Sequence, residues 1–273
     1  MSAPRTLLLT GAAGGVGTMM RELLPAFGYE LRLLDAAPVK EEGEAETGAV
    51  TAELGDRERL RTAVRGVDAI VHLAGISREA TFEDILEANL RGTYHLYEAA
   101  LEEGVRRVVF ASSNHAIGFT PRPGPGEPLV RADAPHRPDT FYGLSKCFGE
   151  DLAQLYWDRY GIETVSLRIG SCFRKPSSVR MLPVWLSPTD AARLVDAALT
   201  ADDVGHTVVY GSSANTRALW DLSGARALGY VPRDDSEEYA AGLLAEQGEA
   251  GPAGPGHNRI GGTFCAVPLG RPH

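Results

Sequence analysis

Three features of this 273-residue chain predict an α/β fold, a Rossmann-type doubly wound parallel sheet with a small C-terminal substrate-binding region. Short apolar runs of strand length recur at residues 5–10, 31–34, 67–73, 107–112 and 163–169. Longer helical stretches separate them, giving the alternation of right-handed βαβ units. A glycine-rich turn follows the first run directly. The composition is that of a globular enzyme, with 44% hydrophobic and 23% charged residues, enough for one large domain or one domain with a small appendage. A net charge of −9 argues against nucleic-acid or anionic-membrane partners. No apolar run approaches the roughly 18 residues of a membrane span, and no signal peptide is evident. Three widely spaced cysteines (Cys147, Cys172, Cys265) point to reduced thiols and a cytoplasmic location, and neither they nor the seven histidines show metal-ligand spacing.

Taken in order, the run at 5–10 reads as a buried parallel strand. It enters Thr-Gly-Ala-Ala-Gly-Gly-Val-Gly, where Gly11, Gly14 and Gly17 stand three apart, and then a helix over about 16–27. In that context glycines let the backbone approach a pyrophosphate, while the helix N-terminus offers free N–H groups and positive dipole. The second strand, 31–34, ends at Asp35, 18 residues past Gly17. An acid there can accept hydrogen bonds from both ribose hydroxyls and would repel a 2′-phosphate, so NAD is expected over NADP. Arg32 is offset from Asp35 by an odd number and should point to the opposite face of the strand. The strand at 67–73 is followed by a helical stretch over 81–103, then the strand at 107–112. Residues 120–139 are rich in proline and glycine and form a long loop ahead of the next helix. After the strand at 163–169, helices are expected near 188–201 and 216–228, and a flexible linker at 246–258. Residues 1–170 are expected to form the nucleotide-binding domain with the catalytic helix. Residues 171–273 would form the smaller substrate-side region, interleaved with the last strands.

The chemistry-bearing pair is Tyr142 and Lys146, four residues apart and so on one helix face. A free tyrosine titrates near 10 and is a poor base at neutral pH. An adjacent ammonium favours the phenolate, and lowering the value by roughly 3 units takes about 4 kcal/mol of differential stabilisation. The expectation is a tyrosine base depressed by its partly desolvated lysine together with a cationic ring. Cys147 has no neighbouring base to make it a nucleophile.

With the glycine turn, Asp35 and the Tyr142/Lys146 pair in this order, the chain resembles the extended short-chain dehydrogenase/reductase superfamily. His72-Leu73-Ala74-Gly75 resembles its strand-end motif beside the adenine and ribose. Asn89-Leu90-Arg91-Gly92-Thr93 resembles its central helix, whose asparagine supports a proton relay. Phe110-Ala111-Ser112-Ser113 resembles the strand that brings the catalytic serine, which falls at Ser113. Gly75-Ile76-Ser77, the run Ser112 to Gly118, Tyr142 to Glu150, Arg168 to Cys172, Arg180-Met181-Leu182, Gly211 to Asn215 and Gly261 to Phe264 together resemble the bacterial uronate dehydrogenases. The resemblance implies NAD-dependent oxidation of a hexuronate at its anomeric carbon to an aldarolactone, with Tyr142 as base, Ser113 holding the reacting oxygen and Lys146 on the nicotinamide ribose. It places cofactor contacts at Gly11, Gly14, Gly15, Val16 and Gly17, at Asp35, Glu53 and Leu54, and at Leu73, Ala74 and Gly75. Tyr142, Lys146 and Ser171 complete that set. Two departures stand out: Gly15 replaces what is commonly a longer polar residue, and the loop over 120–135 is extended.

A uronate needs a cation for its carboxylate and polar groups for its hydroxyls. Arg180 offers a planar fork that can hold a carboxylate bidentately, whereas Arg174 and Lys175 are expected in solvent. Ser77, Asn114 and His115 follow strand ends, where ligands of open α/β sheets gather. Phe264 could pack on the sugar or fill the core, and Ser171 and Cys172 should line the nicotinamide pocket. A nucleotide-sugar epimerase or dehydratase with bound NAD, and a non-catalytic NAD-sensing regulator, remain open as other functions of such a chain. The short segment after the last strand disfavours the first, and intact Ser113, Tyr142 and Lys146 disfavour the second. Related enzymes form dimers through the helices carrying Asn89 and Tyr142, which implies a homo-oligomer.

Overall fold

The computed structural model describes residues 5–41, 44–45, 48–248 and 256–272. Seven parallel strands form one sheet: β1 (Thr6–Thr10), β2 (Glu30–Asp35), β3 (Val50–Thr51), β4 (Ala69–His72), β5 (Arg107–Ser113), β6 (Glu163–Ile169) and β7 (His206–Gly211). Their order across the sheet is β7-β6-β5-β4-β1-β2-β3, so the winding reverses between β1 and β4. In sheets of this kind the crevice at the carboxyl ends, at that reversal, is where ligands bind.

The strands are apolar throughout because both faces are covered. Leu7, Leu8 and Leu9 are fully buried, and alternation sends them to opposite sides. Leu7 and Leu9 join a core with Met19, Met20 and residues 191–199. Leu8 joins one with Leu60, Leu96, Tyr97, Leu152 and Tyr156. Each such leucine contributes roughly 1.5–3 kcal/mol by leaving water. The helices supplying these faces are α1 (Gly15–Leu23), α2 (Arg57–Val64), α3 (Phe82–Ile85), α4 (Gly92–Glu103), α5 (Phe141–Tyr160) and α6 (Pro188–Thr200), followed by α7 (Ser223–Ala227) and α8 (Ala240–Gln247). Among the described residues no helix is long and apolar enough to cross a membrane.

Several expectations are refined. The first helix tightens to a 3-10 turn over Leu24–Phe27, where Pro25 enters the chain. The stretch over 81–103 is capped by Thr81 and helical, but Leu86–Arg91 is a π segment containing Asn89. The helix expected at 216–228 is reduced to Ser223–Ala227. Its first half is a turn and irregular chain instead, because Trp220 bridges to Val130 and stacks on Tyr210 with ring centroids 4.9 Å apart. Burying an indole outweighs helix propensity there. The Pro-rich loop has no regular element, yet it is pinned: Arg168 donates to the carbonyls of Ala132 (3.1 Å) and Ala134 (3.3 Å). Of the linker expected at 246–258, Glu246 and Gln247 end α8, and residues 249–255 lie outside the described residues.

Candidate active site

One cleft of roughly 2000 Å³ runs along the carboxyl edge of the sheet and is lined by the glycine turn, the ends of β2, β4 and β5, the start of α5, and residues 171–181 and 261–264. Every residue expected to touch cofactor or substrate lines it.

At the phosphate end the glycines are there for close packing. Gly11 has φ +72°, and a Cβ on it would lie 2.7 Å from the Ala74 backbone nitrogen. A Cβ on Gly17 would lie 2.0 Å from the Gly11 carbonyl oxygen, so only glycine lets α1 start against the turn. Gly15 differs, since a Cβ there would meet nothing within 4 Å. Gly14 caps α1 without a side-chain bond, leaving the first-turn N–H groups of Gly15, Val16 and Gly17 open to the cleft. The Asp35 carboxylate is oriented by two backbone donors, Ala13 N and Ala37 N, both at 2.9 Å. Free amides at one point and an acid at the next strand end fit a dinucleotide whose ribose is unphosphorylated. Arg32 points away as expected, donating to the carbonyls of Ala63 and Arg65. Leu73, Ala74 and Gly75, with Glu53 and Leu54, form the wall between turn and cleft floor.

The buried groups behind this wall are braces. His72 holds Thr10 (2.8 Å) and Thr93 (3.2 Å), and burial, helped by Lys146, pushes its pKa down to about 3. Asn89 accepts from Ile76 N (2.7 Å) and donates to Ile76 O and Ser145 Oγ (both 2.9 Å). Its side chain thus fixes the Gly75–Ser77 turn to the helix of Tyr142.

At the catalytic end, Thr140 Oγ1 accepts from Gly143 N (3.0 Å) and starts α5. Tyr142 therefore lies in the first turn and Lys146 one turn later, with Nζ 5.5 Å from the Tyr142 ring centre and 5.1 Å from that of Phe110. Gly149 permits this approach, because a Cβ there would be 2.3 Å from Phe110 Cζ. Ser113 ends β5, and its hydroxyl accepts from His115 N at 3.2 Å and hydrogen-bonds the Tyr142 phenol.

The electrostatics qualify one expectation. Burial pushes Tyr142 up to about 12, with the Ser113 hydrogen bond opposing and Asp139 adding to the rise. Burial likewise pushes Lys146 down to about 8, against the pull of Glu150. In the free protein, with no cationic ring beside it, burial governs the phenol and the Ser113 hydrogen bond only partly offsets it. Glu150 itself is buried, which would raise it, but hydrogen bonds from His136, Arg168 and Ser112 hold it near 2.

On the sugar side, His115 Nδ1 pairs with the buried Asp139 carboxylate at 2.7 Å, which fixes the ring orientation. The Phe264 ring lies tilted beside it, centroids 4.1 Å apart, and packs against the apolar cluster of Ala80, Ile85 and Tyr142. It thus fills core and lines the cleft at once. Asn114 is buried at the head of the turn after β5 and Ser77 is exposed in the cleft. Ser171 lies in a two-residue ladder with Trp185, and Arg180 follows on the turn Val179–Val184, half-buried, with Nη2 donating to Ile260 O at 2.5 Å. Arg174 instead pairs with Glu22 (2.7 Å) at the surface. Burial raises Cys147 and Cys172 to about 12, so neither is a reactive thiolate.

Three contributors escaped the sequence reading. Asp139 orients His115, and Arg122 lines the cleft from the Pro-rich loop. Glu79 is buried and accepts from Tyr142 N (3.2 Å) and Gly270 N (2.8 Å), capping α5 and tying down the C-terminal segment. Only Asp139 carried a signal, an acid just before a helix cap.

The sequence pattern described as the NAD dependent epimerase/dehydratase family matches residues 7–183. A uronate dehydrogenase of Pseudomonas putida KT2440 is 49% identical over 244 residues, 89% of this chain and 90% of the relative. The crystal structure of a glucuronic acid dehydrogenase from Chromohalobacter salexigens aligns with a TM-score of 0.90 at 45% identity, covering 98% of each chain. A mutant uronate dehydrogenase from Agrobacterium tumefaciens, solved in complex with NAD, aligns with a TM-score of 0.87 at 42% identity over 97% of this chain and 98% of its own.

Proposed function

The chain belongs to the NAD dependent epimerase/dehydratase family, and from that premise we propose that it is an NAD-dependent uronate dehydrogenase, oxidising D-glucuronate and D-galacturonate at C1 to the aldarolactone. The observation that carries this is the meeting of Ser113, Tyr142 and Lys146 with Arg180 in the cleft that also holds the glycine turn and Asp35. When bound, NAD supplies the hydride acceptor and a cationic ring.

The protein's own residues do the rest. Arg180 takes the carboxylate, and Ser77, Asn114 and His115 take sugar hydroxyls while Phe264 covers a face of the ring. Ser113 holds the anomeric oxygen beside the Tyr142 phenol, which removes its proton. Resting near 12, the phenol is neutral in the free protein, so its base form would depend on the positive charge that NAD brings beside it when bound. Lys146, near 8, is poised to exchange a proton with solvent at working pH while it holds the cofactor ribose. Residues 171–273 serve as the substrate-side region, supplying Arg180 and Phe264. The exposed apolar residues Leu144, Leu155 and Trp157 on α5 and Tyr94 on α4 favour a homo-oligomer through these helices. Its three free cysteines are in keeping with a cytoplasmic enzyme.

The test is direct. Protein mixed with NAD and free glucuronate or galacturonate should form NADH, whereas NADH formation only with a nucleotide-sugar, or with none of these, would end the proposal.

A further inference from the structure

We propose that Arg122 is a second binding residue for the substrate's carboxylate, and that with Arg180 it sets the selection of acidic over neutral sugars. The inference rests on the reading of the site as a uronate site and adds a residue and a specificity role to it.

The loop that carries Arg122 is stitched to the segment leading to Phe264. Gly261 N donates to Gly118 O (2.8 Å), Ile260 N to Thr120 O (2.9 Å) and Arg122 N to Asn258 O (2.9 Å), and Pro121 bridges Arg259. The Arg122 backbone is thus fixed, and its half-buried side chain lines the same cleft as Arg180, His115 and Phe264. The two buried arginines of the described residues each have an acid: Arg107 has Glu163 and Arg168 has Glu150. Arg122 makes no side-chain hydrogen bond or ion pair among the described residues. Among the described residues Arg180 has only the Ile260 carbonyl, and Asp139, the acid it feels, is already engaged by His115 and Thr140.

Two guanidiniums therefore line one cleft, and among the described residues neither is paired with a carboxylate. Burial lowers the pKa of Arg180, and the charge of Arg122 lowers it further, so the two repel. Enclosing like charges without a counter-ion is unfavourable unless an anion joins them. A carboxylate has two oxygens and about four acceptor sites, enough for two guanidinium forks at once. Because Arg122 and Arg180 come from separate segments, each can be varied with the other in place.

The experiment is steady-state kinetics of Arg122→Gln and Arg122→Lys beside the unaltered enzyme, with glucuronate as substrate and neutral glucose as substrate or competing ligand. If the unaltered enzyme fails to oxidise uronates, the underlying reading fails first. If it does oxidise them, Arg122→Gln should raise KM for glucuronate about tenfold and leave kcat and the NAD Kd within about twofold. Glucose binding should be unmoved. Arg122→Lys, which keeps the charge and loses the fork, should fall between, at about threefold. A merely structural loop role would weaken glucuronate and glucose alike, and that result overturns the proposal. So does an unchanged glucuronate KM in Arg122→Gln, or in Arg122→Lys should the glutamine variant not fold.

Discussion

Tyr142 and Lys146 are enclosed together, and enclosure disfavours charge on both, leaving the phenol at about 12 and the amine at about 8. The amine has a measurable consequence for stability. Between pH 8 and its ordinary 10.5, Lys146 binds a proton more readily in the unfolded chain than in the fold. Its burial therefore opposes folding fully below pH 8, and the opposition fades as pH rises toward 10.5. Lys146→Met should accordingly be roughly 1–3 kcal/mol more stable than the parent at pH 7, with the gap closing near pH 10, and should lose turnover. Urea unfolding at the two pH values reads this, and a variant less stable at pH 7 contradicts the desolvation argument. For the phenol, Tyr142→Phe removes the base and keeps the ring, so kcat should fall roughly 100- to 10,000-fold with NAD affinity intact. Near-normal turnover would take Tyr142 out of the mechanism. Arg180→Ala belongs to the same scale, with the glucuronate KM rising far more than the NAD Kd.

At the scale of elements, α1 and α5 are each positioned by glycine at a contact no side chain could enter. For α1 the contact is Gly17 against the Gly11 carbonyl, whereas Gly15 in the same turn faces open space. The two alanine variants should therefore part. Gly17→Ala should destabilise the protein by roughly 1–3 kcal/mol and weaken NAD. Gly15→Ala should be neutral or stabilising by about 0.4–1 kcal/mol in the free protein. Thermal melts of both, with NAD titrations, decide it, and equal effects would mean the turn is not packed as described. Five of the seven strands were legible in the sequence because an element buried on both faces is apolar without interruption, as in Leu7-Leu8-Leu9, whereas the edge strands Val50–Thr51 and His206–Gly211 were not. The helix expected over 216–228 was not, because the local pattern carries no sign that Trp220 is claimed by Val130 and Tyr210 far along the chain. Nor does the composition of the Pro-rich loop reveal that Arg168 anchors it.

Across the whole molecule, the cleft draws on segments from Gly11 to Phe264, and legibility of the site divides by how each residue works. Gly11, Asp35, Tyr142 and Lys146 sit in local motifs whose spacing carries their chemistry, so the sequence exposes them, while Ser113 is reached only through the family resemblance. Asp139, Glu79 and Arg122 act across the fold, through His115, through the start of α5 and beside Arg180, and no local pattern holds that information. A dinucleotide in this cleft would touch the β1 turn, the end of β2 and the catalytic helix together, so its binding should register as stability of the entire domain. At a hundredfold excess over its Kd, NAD should add about 2.7 kcal/mol, visible as a rise in Tm of several degrees. At the same concentration NADP should add clearly less, because the Asp35 carboxylate, held in place by Ala13 N and Ala37 N, meets the 2′-phosphate with like charge. Asp35→Ala tests the cause: it should lower the NAD shift, spare the NADP shift and so narrow the gap. If NADP stabilises the unaltered protein as much as NAD, discrimination does not reside at Asp35, and the strand-end acid serves only to brace the turn.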